Sequence, residues 1–541
     1  MLHTLVGLLL LPASGLLILL IALAAHRHTG NSGKASGGRM SRYLRYAEDK
    51  YTLNRAGYAQ QLSRELEGGA AFAAAFGALA ALPLAMTLFG PAYALAGPWA
   101  VGCGIGLAGL LALPVAAAQA ELASAVPTAG GVYHWALATG GKGWGWLAAW
   151  LKGLGDAGLI VLLNWTAAEL LLGLAFPQPA GLPLIAAAAA LLLALQVVAA
   201  CGGRWLRRMM AWHAACQLGA LAALAAVLVW AGGAALQPTT FLFTAAPGGG
   251  AGEASVAVMG LTVVLLARLF GGSDAGAYRS EETSGAAAQA PWSSFLAVAY
   301  SLLIVYVCFA VLLLAAPDPI AIGDDAAAWL RSVSALAARW DGPLYSILTC
   351  GAIAALWAAG IGVLAGSARM WYAVQRDGRT RLARWLASVP VRPRVPVRML
   401  AVTALGVLLA TAALALFDPW PGGGSTRVVG LAAWSVLCTQ SAAAVPLALL
   451  LLRRRLLRGP WHTGRLGPWL RWTALLWLLV SAAGAAVLAE LRLLVMLVSV
   501  LGAAAVGRLL MTRLPARRKL ADPAAPALEE LRRIERRYPQ P

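Results

Sequence analysis

Few side chains in this chain are equipped for chemistry, and most that are lie inside long apolar runs. Arg268 is the least expected of them. An arginine at mid-bilayer costs at least ~2.5 kcal/mol even on insertion scales, so it must face the protein interior and find an anion. Asp156 and Asp274 are the candidate partners. Arg268 then either binds an anionic group of a ligand, gates a site through an ion pair, forms a structural Arg–Asp pair, or bends toward a water-filled vestibule. Close behind it stands Gly271-Gly272-Ser273-Asp274. Two adjacent glycines in a helix cost roughly 2 kcal/mol relative to alanine. Asp274 then reads as the N-cap of a second half-helix. Upstream, Pro83 removes a backbone donor and clashes with the preceding turn, which predicts an interruption among Leu82, Pro83, Leu84 and Ala85. The chemistry on offer is binding. Freed N–H groups at a half-helix start suit a carboxylate, and freed carbonyls suit an ammonium or a cation. Asp156, Asp274, His213 and Glu121 are the groups whose protonation can answer to occupancy or gating. His213 reads alternatively as a hydrogen-bonded packing residue, and Glu121, at the end of its helix, as structural.

The elements that hold these residues follow from composition. The chain has 541 residues, 60% hydrophobic and 12% charged. A soluble domain carries about 25% charged residues. Apolar blocks such as 182–199 and 472–489 are long enough to cross a ~30 Å hydrocarbon core as helices. The pattern predicts an all-α membrane protein with twelve transmembrane helices near 70–91, 96–122, 143–173, 181–200, 208–232, 255–279, 291–316, 342–370, 397–418, 427–452, 468–489 and 491–513. An additional apolar block, 5–25, reads either as an extra spanning helix within 1–27 or as residues upstream of a second start at Met40. Residues 28–69 form a basic cytoplasmic segment, flexible over 30–38, with a short amphipathic surface helix over 58–67. A charged tail, 514–541, carries a helix over 526–537.

Lys and Arg alternate between gaps. The gap between spans eight and nine holds Arg369, Arg376, Arg379, Arg381, Arg384, Arg392, Arg394 and Arg398, and that between ten and eleven is similarly rich. Gaps after spans one, three and five hold none. The positive-inside rule then places both ends of the twelve-span unit in the cytoplasm, in a plasma or inner membrane. It also accounts for the net charge of +20 without nucleic acid as a partner. The six cysteines are scattered singly, with no metal or disulfide spacing. Pro247-Gly248-Gly249-Gly250 lacks the lysine of a phosphate loop and reads as a connector. No nucleophile–base constellation is present, so neither an enzyme nor a resident cofactor or metal is expected. The two interruptions fall five spans apart, each in the first helix of a five-span block (70–232 and 255–452). Five is odd, so the blocks are inverted relative to one another, with two helices (468–513) added. Paired breaks in inverted repeats point to a midplane binding site.

The run Ala120-Glu121-Leu122-Ala123-Ser124-Ala125-Val126-Pro127-Thr128-Ala129-Gly130-Gly131-Val132-Tyr133-His134-Trp135 resembles the signature after the second helix of amino acid permeases of the amino acid–polyamine–organocation superfamily. The amino acid/choline branch is the nearest in pattern. The likeness recurs at Gly272-Ser273-Asp274-Ala275 through Glu281-Glu282-Thr283, at Ser367-Ala368-Arg369-Met370-Trp371-Tyr372 with Arg376-Asp377-Gly378, and at Gly459-Pro460-Trp461-His462-Thr463-Gly464-Arg465. It implies a five-plus-five LeuT-like inverted repeat plus two helices, and secondary transport of an amino acid or related amine by alternating access, as proton-coupled symport or exchange. It implies a small-molecule substrate, for which the interruptions offer Leu82, Pro83, Leu84, Ala85, Gly271, Gly272 and Ser273 and the charge argument adds Arg268; Glu281, Glu282, Arg376 and Asp377, at cytoplasmic helix ends, read as an inner-gate charge network. Two departures stand out: Ala80, Pro83 and Leu84 replace a small polar residue and a glycine, and Arg268 replaces a bulky aromatic. A non-transporting sensor or partner subunit on the same scaffold is the alternative.

Overall fold

The computed structural model describes residues 2–34, 42–176, 178–230, 237–245, 255–315, 328–329, 341–378, 380–418, 420, 423–453, 457–513 and 528–538. In chain order its helices are α1 (Leu2–Lys34), α2 (Arg42–Arg55), α3 (Gly68–Leu79), α4 (Ala81–Ala96), α5 (Gly106–Ala125), α6 (Val132–Gly140), α7 (Lys142–Ala175), α8 (Leu182–Cys201) and α9 (Arg204–Trp230). There follow α10 (Val256–Leu266), α11 (Ala286–Ala315), α12 (Asp341–Arg376), α13 (Arg381–Leu386), α14 (Val397–Phe417), α15 (Gly424–Leu452), α16 (Gly467–Leu488), α17 (Glu490–Arg513) and α18 (Leu528–Glu535). Among the described residues ten helical stretches are long and apolar enough to cross a membrane, the leading Thr4–Thr29 included. Val256–Phe270 and Arg492–Val506 are apolar but shorter. The chain is a multi-pass, all-α membrane protein.

α7 lies at the centre, packed most extensively on α15 and α12. Small residues make that approach close, as is usual where lipid supplies no hydrophobic drive between helices. A Cβ on Gly155 would sit 2.6 Å from Thr439 Cγ2, and one on Gly158 would sit 2.5 Å from Trp434 Cδ1. Polar ties fix the seam. Trp434 Nε1 donates to the Leu154 carbonyl at 3.1 Å, and Ser435 Oγ to that of Gly155 at 2.9 Å. α11 packs in the same way across α5 and α3.

Several expectations need correction. α1 runs on through Lys34, so the first part of the stretch expected to be flexible is helical, and 35–38 lie outside the described residues. Residues 58–67 form no helix; the amphipathic helix of this region is α2 instead. The reason is that 58–67 finds better partners in trans. Gln60 Nε2 donates to the Glu281 carbonyl at 2.9 Å, Arg64 Nη1 to that of Thr283 at 2.5 Å, and Leu66 pairs with Thr283 in an isolated parallel bridge. Ten residues nucleate a helix poorly by themselves, so these bonds decide the conformation. The tail helix covers Leu528–Glu535, and the expected connector at 247–250 lies outside the described residues.

Candidate functional site

The first interruption lies at Ala80, three residues before the proline that signals it. Ala80 joins α3 to α4 with φ 60° and ψ 26°, a left-handed conformation that costs an L-residue roughly 1–2 kcal/mol. It is fully buried, so packing on all sides holds it there. Pro83 falls in the first turn of α4. Backbone N–H groups there lack a helical acceptor, so a residue without one is tolerated. The expected break at Pro83 is therefore a helix start, and its cause sits upstream.

The second interruption is longer. α10 tightens into a 3₁₀ turn at Ala267–Phe270, residues 271–276 run as successive turns, and a second 3₁₀ turn spans Ala277–Glu282. No second α-helix forms, and Asp274 is not its N-cap. The Asp274 carboxylate is held otherwise: Oδ2 accepts from the Tyr278 hydroxyl at 2.6 Å, one helical turn on. The two interruptions touch. A Cβ on Gly272 would lie 3.3 Å from Leu79 Cα and 3.8 Å from the Ala78 carbonyl oxygen, so a side chain there would need the neighbouring backbone to give by a few tenths of an ångström.

Beside the contact is a polar cavity of about 20 Å³, lined among others by Lys152, Asp156, Arg268, Asp274, Tyr278 and Ser367. That is room for about one water. Lys152 organises it. Its Nζ lies 2.6 Å from Asp156 Oδ1 on the same face of α7 and 3.6 Å from Asp274 Oδ2. Neither aspartate pairs with Arg268 within 4 Å, contrary to expectation, because the lysine already occupies both. Arg268 is 2% exposed, and its Nε and Nη1 are buried without a hydrogen-bond partner. Its guanidinium folds back over Gly271, whose Cβ would lie 2.3 Å from Nη1. Asp274 Oδ1 is likewise buried and unpartnered. Two cations and two carboxylates thus share one buried space, with two guanidinium nitrogens and one carboxylate oxygen left without a hydrogen-bond partner.

The other expected residues sit around this centre. Ser273 Oγ donates to Gln119 Oε1 at 2.6 Å, away from the cavity lining. Leu82 and Ala85 border separate cavities of about 370 and 10 Å³, and Leu84 is fully buried. His213 hydrogen-bonds Gln217 at 3.0 Å and lies against Gly77, close to the first interruption. Glu121 is remote. It accepts from the Thr463 N–H at 2.9 Å and from Arg471 Nε at 3.0 Å, clasping the α15–α16 connector. Sequence reasoning missed Lys152 and Tyr278. Both carried a signal, since each stands four residues from an aspartate inside an apolar run, one helical turn away.

Residues 66–506, most of the chain, match the profile of the family described as amino acid permease. The chain belongs to the amino acid permease family. The rice (Oryza sativa subsp. japonica) amino-acid permease BAT1 homolog is 24% identical over 453 residues, 79% of this chain and 85% of that protein. The Arabidopsis thaliana amino-acid permease BAT1 is 33% identical over 101 residues, 19% of this chain and 20% of that protein. A solved structure described as an inward-facing conformation of Mhp1 aligns with a TM-score of 0.44 and 14% identity, over 80% of this chain and 91% of that one.

In this permease the end of α12 that leads into the arginine-rich connector carries a network of charges. Arg376 forks onto Glu281, Nη2 to Oε1 at 2.8 Å and Nη1 to Oε2 at 3.0 Å. Arg369 Nε meets Glu282 Oε1 at 2.7 Å. The Tyr58 and Tyr133 hydroxyls donate to Asp377 Oδ2 at 3.1 and 2.8 Å, and His134 Nε2 lies 3.6 Å from the same oxygen. Burial alone would raise the Asp377 carboxyl; the bonds and charge of His134, then Tyr133 and Arg376, outweigh it and hold it below the usual carboxylate value. It therefore stays ionised through the neutral range. Gly131 packs on this region: at φ 48° it presents its Cα to the Tyr278 ring, where a Cβ would lie 2.4 Å from Cε1.

Proposed function

We propose that this permease is a secondary transporter that carries an amino acid or a related amine by alternating access. Twelve spans in a five-plus-five inverted repeat plus two form the scaffold, with both ends of that unit cytoplasmic and proton symport or substrate exchange as the driving process. One observation carries the reading. Two unwound points abut inside the membrane, beside a buried space in which Arg268 Nε and Nη1 lack an acceptor and Asp274 Oδ1 lacks a donor. An unsatisfied buried polar group costs about 1–3 kcal/mol, more when charged. A zwitterion supplies both missing partners: its carboxylate meets the Arg268 guanidinium and amides of the interruptions, and its ammonium meets Asp274 Oδ1 and the carbonyls freed around Ala80. A cavity of about 20 Å³ does not hold such a molecule, so the closed arrangement must widen to admit it.

The test is uptake of a labelled amino acid panel into proteoliposomes, with and without a pH gradient. Wild type should accumulate at least one zwitterionic or amine solute. Arg268→Ala should lower kcat/KM for it by roughly a hundredfold, about 3 kcal/mol, and Arg268→Lys should recover only part. No uptake of any panel member, or full activity and unchanged selectivity in both variants, would rule the proposal out.

A further inference from the structure

Between the leading helix and the α15–α16 connector lies a cavity of about 850 Å³, far larger than the one at the interruptions. Its wall has two characters. One side is cationic: Arg27 and His28 of α1, Arg458, His462 and Arg465 of the connector, and Arg471 of α16. Glu121 is the one carboxylate on this lining, and it is already committed to Arg471 and Thr463. Arg27, Arg458 and Arg465 are exposed and form no ion pair among the described residues. The other side is apolar, built by Leu20, Leu23, Leu457 and Leu466, with Leu23 51% exposed.

The space is built rather than incidental. Ile21 and Ala25 of α1 are fully buried against the bundle. The His28 ring stacks on His462 with centroids 4.0 Å apart. Gly464, at φ 59°, admits that ring, since a Cβ there would lie 2.6 Å from His28 Nε2. Burial and the neighbouring His28 hold the His462 imidazole below its ordinary value, which favours its neutral form.

We propose that this cavity binds an anionic phospholipid, its phosphate against Arg27, Arg458 and Arg465 and an acyl chain along Leu20 and Leu23. Uncompensated guanidinium groups beside exposed leucines at the end of a membrane-length helix match a molecule that is anionic at one end and apolar at the other. A soluble anion satisfies the arginines and leaves the leucines wet. A zwitterionic lipid satisfies the leucines and brings its own cation towards the arginines. The bound lipid bridges α1 to the connector and so ties the leading helix to the rest of the bundle. The inference is independent of what the permease carries.

The full chain, purified in detergent, is mixed with dioleoylphosphatidylglycerol or dioleoylphosphatidylcholine, and bound lipid is counted by native mass spectrometry. A parallel arm adds excess inorganic phosphate to the phosphatidylglycerol mixture. Phosphatidylglycerol should be retained at least tenfold over phosphatidylcholine, and phosphate should not displace it. Arg27→Gln with Arg465→Gln removes two exposed cations, each equivalent to about fivefold near an anionic headgroup, so retention should fall about thirtyfold. Arg458→Gln alone should lower it about fivefold. Equal retention of the two lipids, displacement by phosphate, or unchanged retention in these folded variants would each overturn the proposal.

Discussion

Lys152 is the residue on which the buried charge cluster depends, and removing it gives the sharpest test of the geometry. Its Nζ lies 2.6 Å from Asp156 and 3.6 Å from Asp274, and the three residues are 6%, 2% and 4% exposed. At an effective dielectric constant near 20 those distances correspond to gross attractions of about 6 and 5 kcal/mol. Desolvation of the ammonium offsets much of that. What remains on truncation is the cost of leaving two carboxylates buried without their cation, about 3–5 kcal/mol for a single broken buried pair. Lys152→Met keeps most of the volume and removes the charge. Its stability, read from unfolding in mixed micelles, should fall by at least about 3 kcal/mol. Adding Asp156→Leu to Lys152→Met should recover roughly half, because one of the two orphaned carboxylates goes with it. If Lys152→Met costs less than about 1 kcal/mol, or the double variant is no more stable than the single, then the lysine does not hold the two aspartates and this account of the site fails.

Two further outcomes follow from the same structure. Ala80→Val should destabilise the fold by about 2 kcal/mol or more, because a β-branched side chain fits a left-handed backbone poorly, whereas Ala80→Gly should stay within about 1 kcal/mol of wild type in the same unfolding measurement. Arg376→Ala leaves the fully buried Glu281 without its guanidinium, so this end of α12 should loosen by about 3–5 kcal/mol. Maleimide labelling of Ser367→Cys, in a background without the six native cysteines, should then rise at least tenfold.

Much of this was legible in the chain, and the parts that were not share a cause. Gly271-Gly272 announces an unwound stretch because glycine in an apolar helix is costly wherever it lies. Arg268 announces a buried polar space for a similar reason. Both are penalties a residue carries by itself. The position of the first interruption is different, since Ala80 has no intrinsic preference for φ 60° and is held there by its neighbours. The same holds for the segment 58–66, whose conformation is set by acceptors more than two hundred residues away. Lys152 was overlooked because it sits in a span read by hydropathy alone, where one cation among apolar residues looks like noise. Its meaning lies in the i, i+4 spacing to Asp156, and its reach to Asp274 required the packing of α7 against the second interruption.

That packing links the site to the charge network at the end of α12 through one side chain. Tyr278 lines the polar cavity, donates to Asp274 Oδ2 at 2.6 Å, and is the second residue of the 3₁₀ turn that ends in Glu281 and Glu282. Only two residues, Arg279 and Ser280, therefore separate a group bonded within the site from the carboxylates that pair with Arg376 and Arg369. A ligand ammonium at Asp274 Oδ1 pulls on the carboxylate whose Oδ2 holds the Tyr278 hydroxyl, and a turn of this length transmits a shift because its backbone bonds are local and short. Tyr278→Phe removes the hydroxyl and keeps the ring against Gly131. It should leave the network intact in the absence of ligand, with Ser367→Cys labelling near the wild-type rate, yet abolish any change in that rate on adding a transported solute. Labelling that still responds to solute in the phenylalanine variant would show that the site and the network communicate by another route.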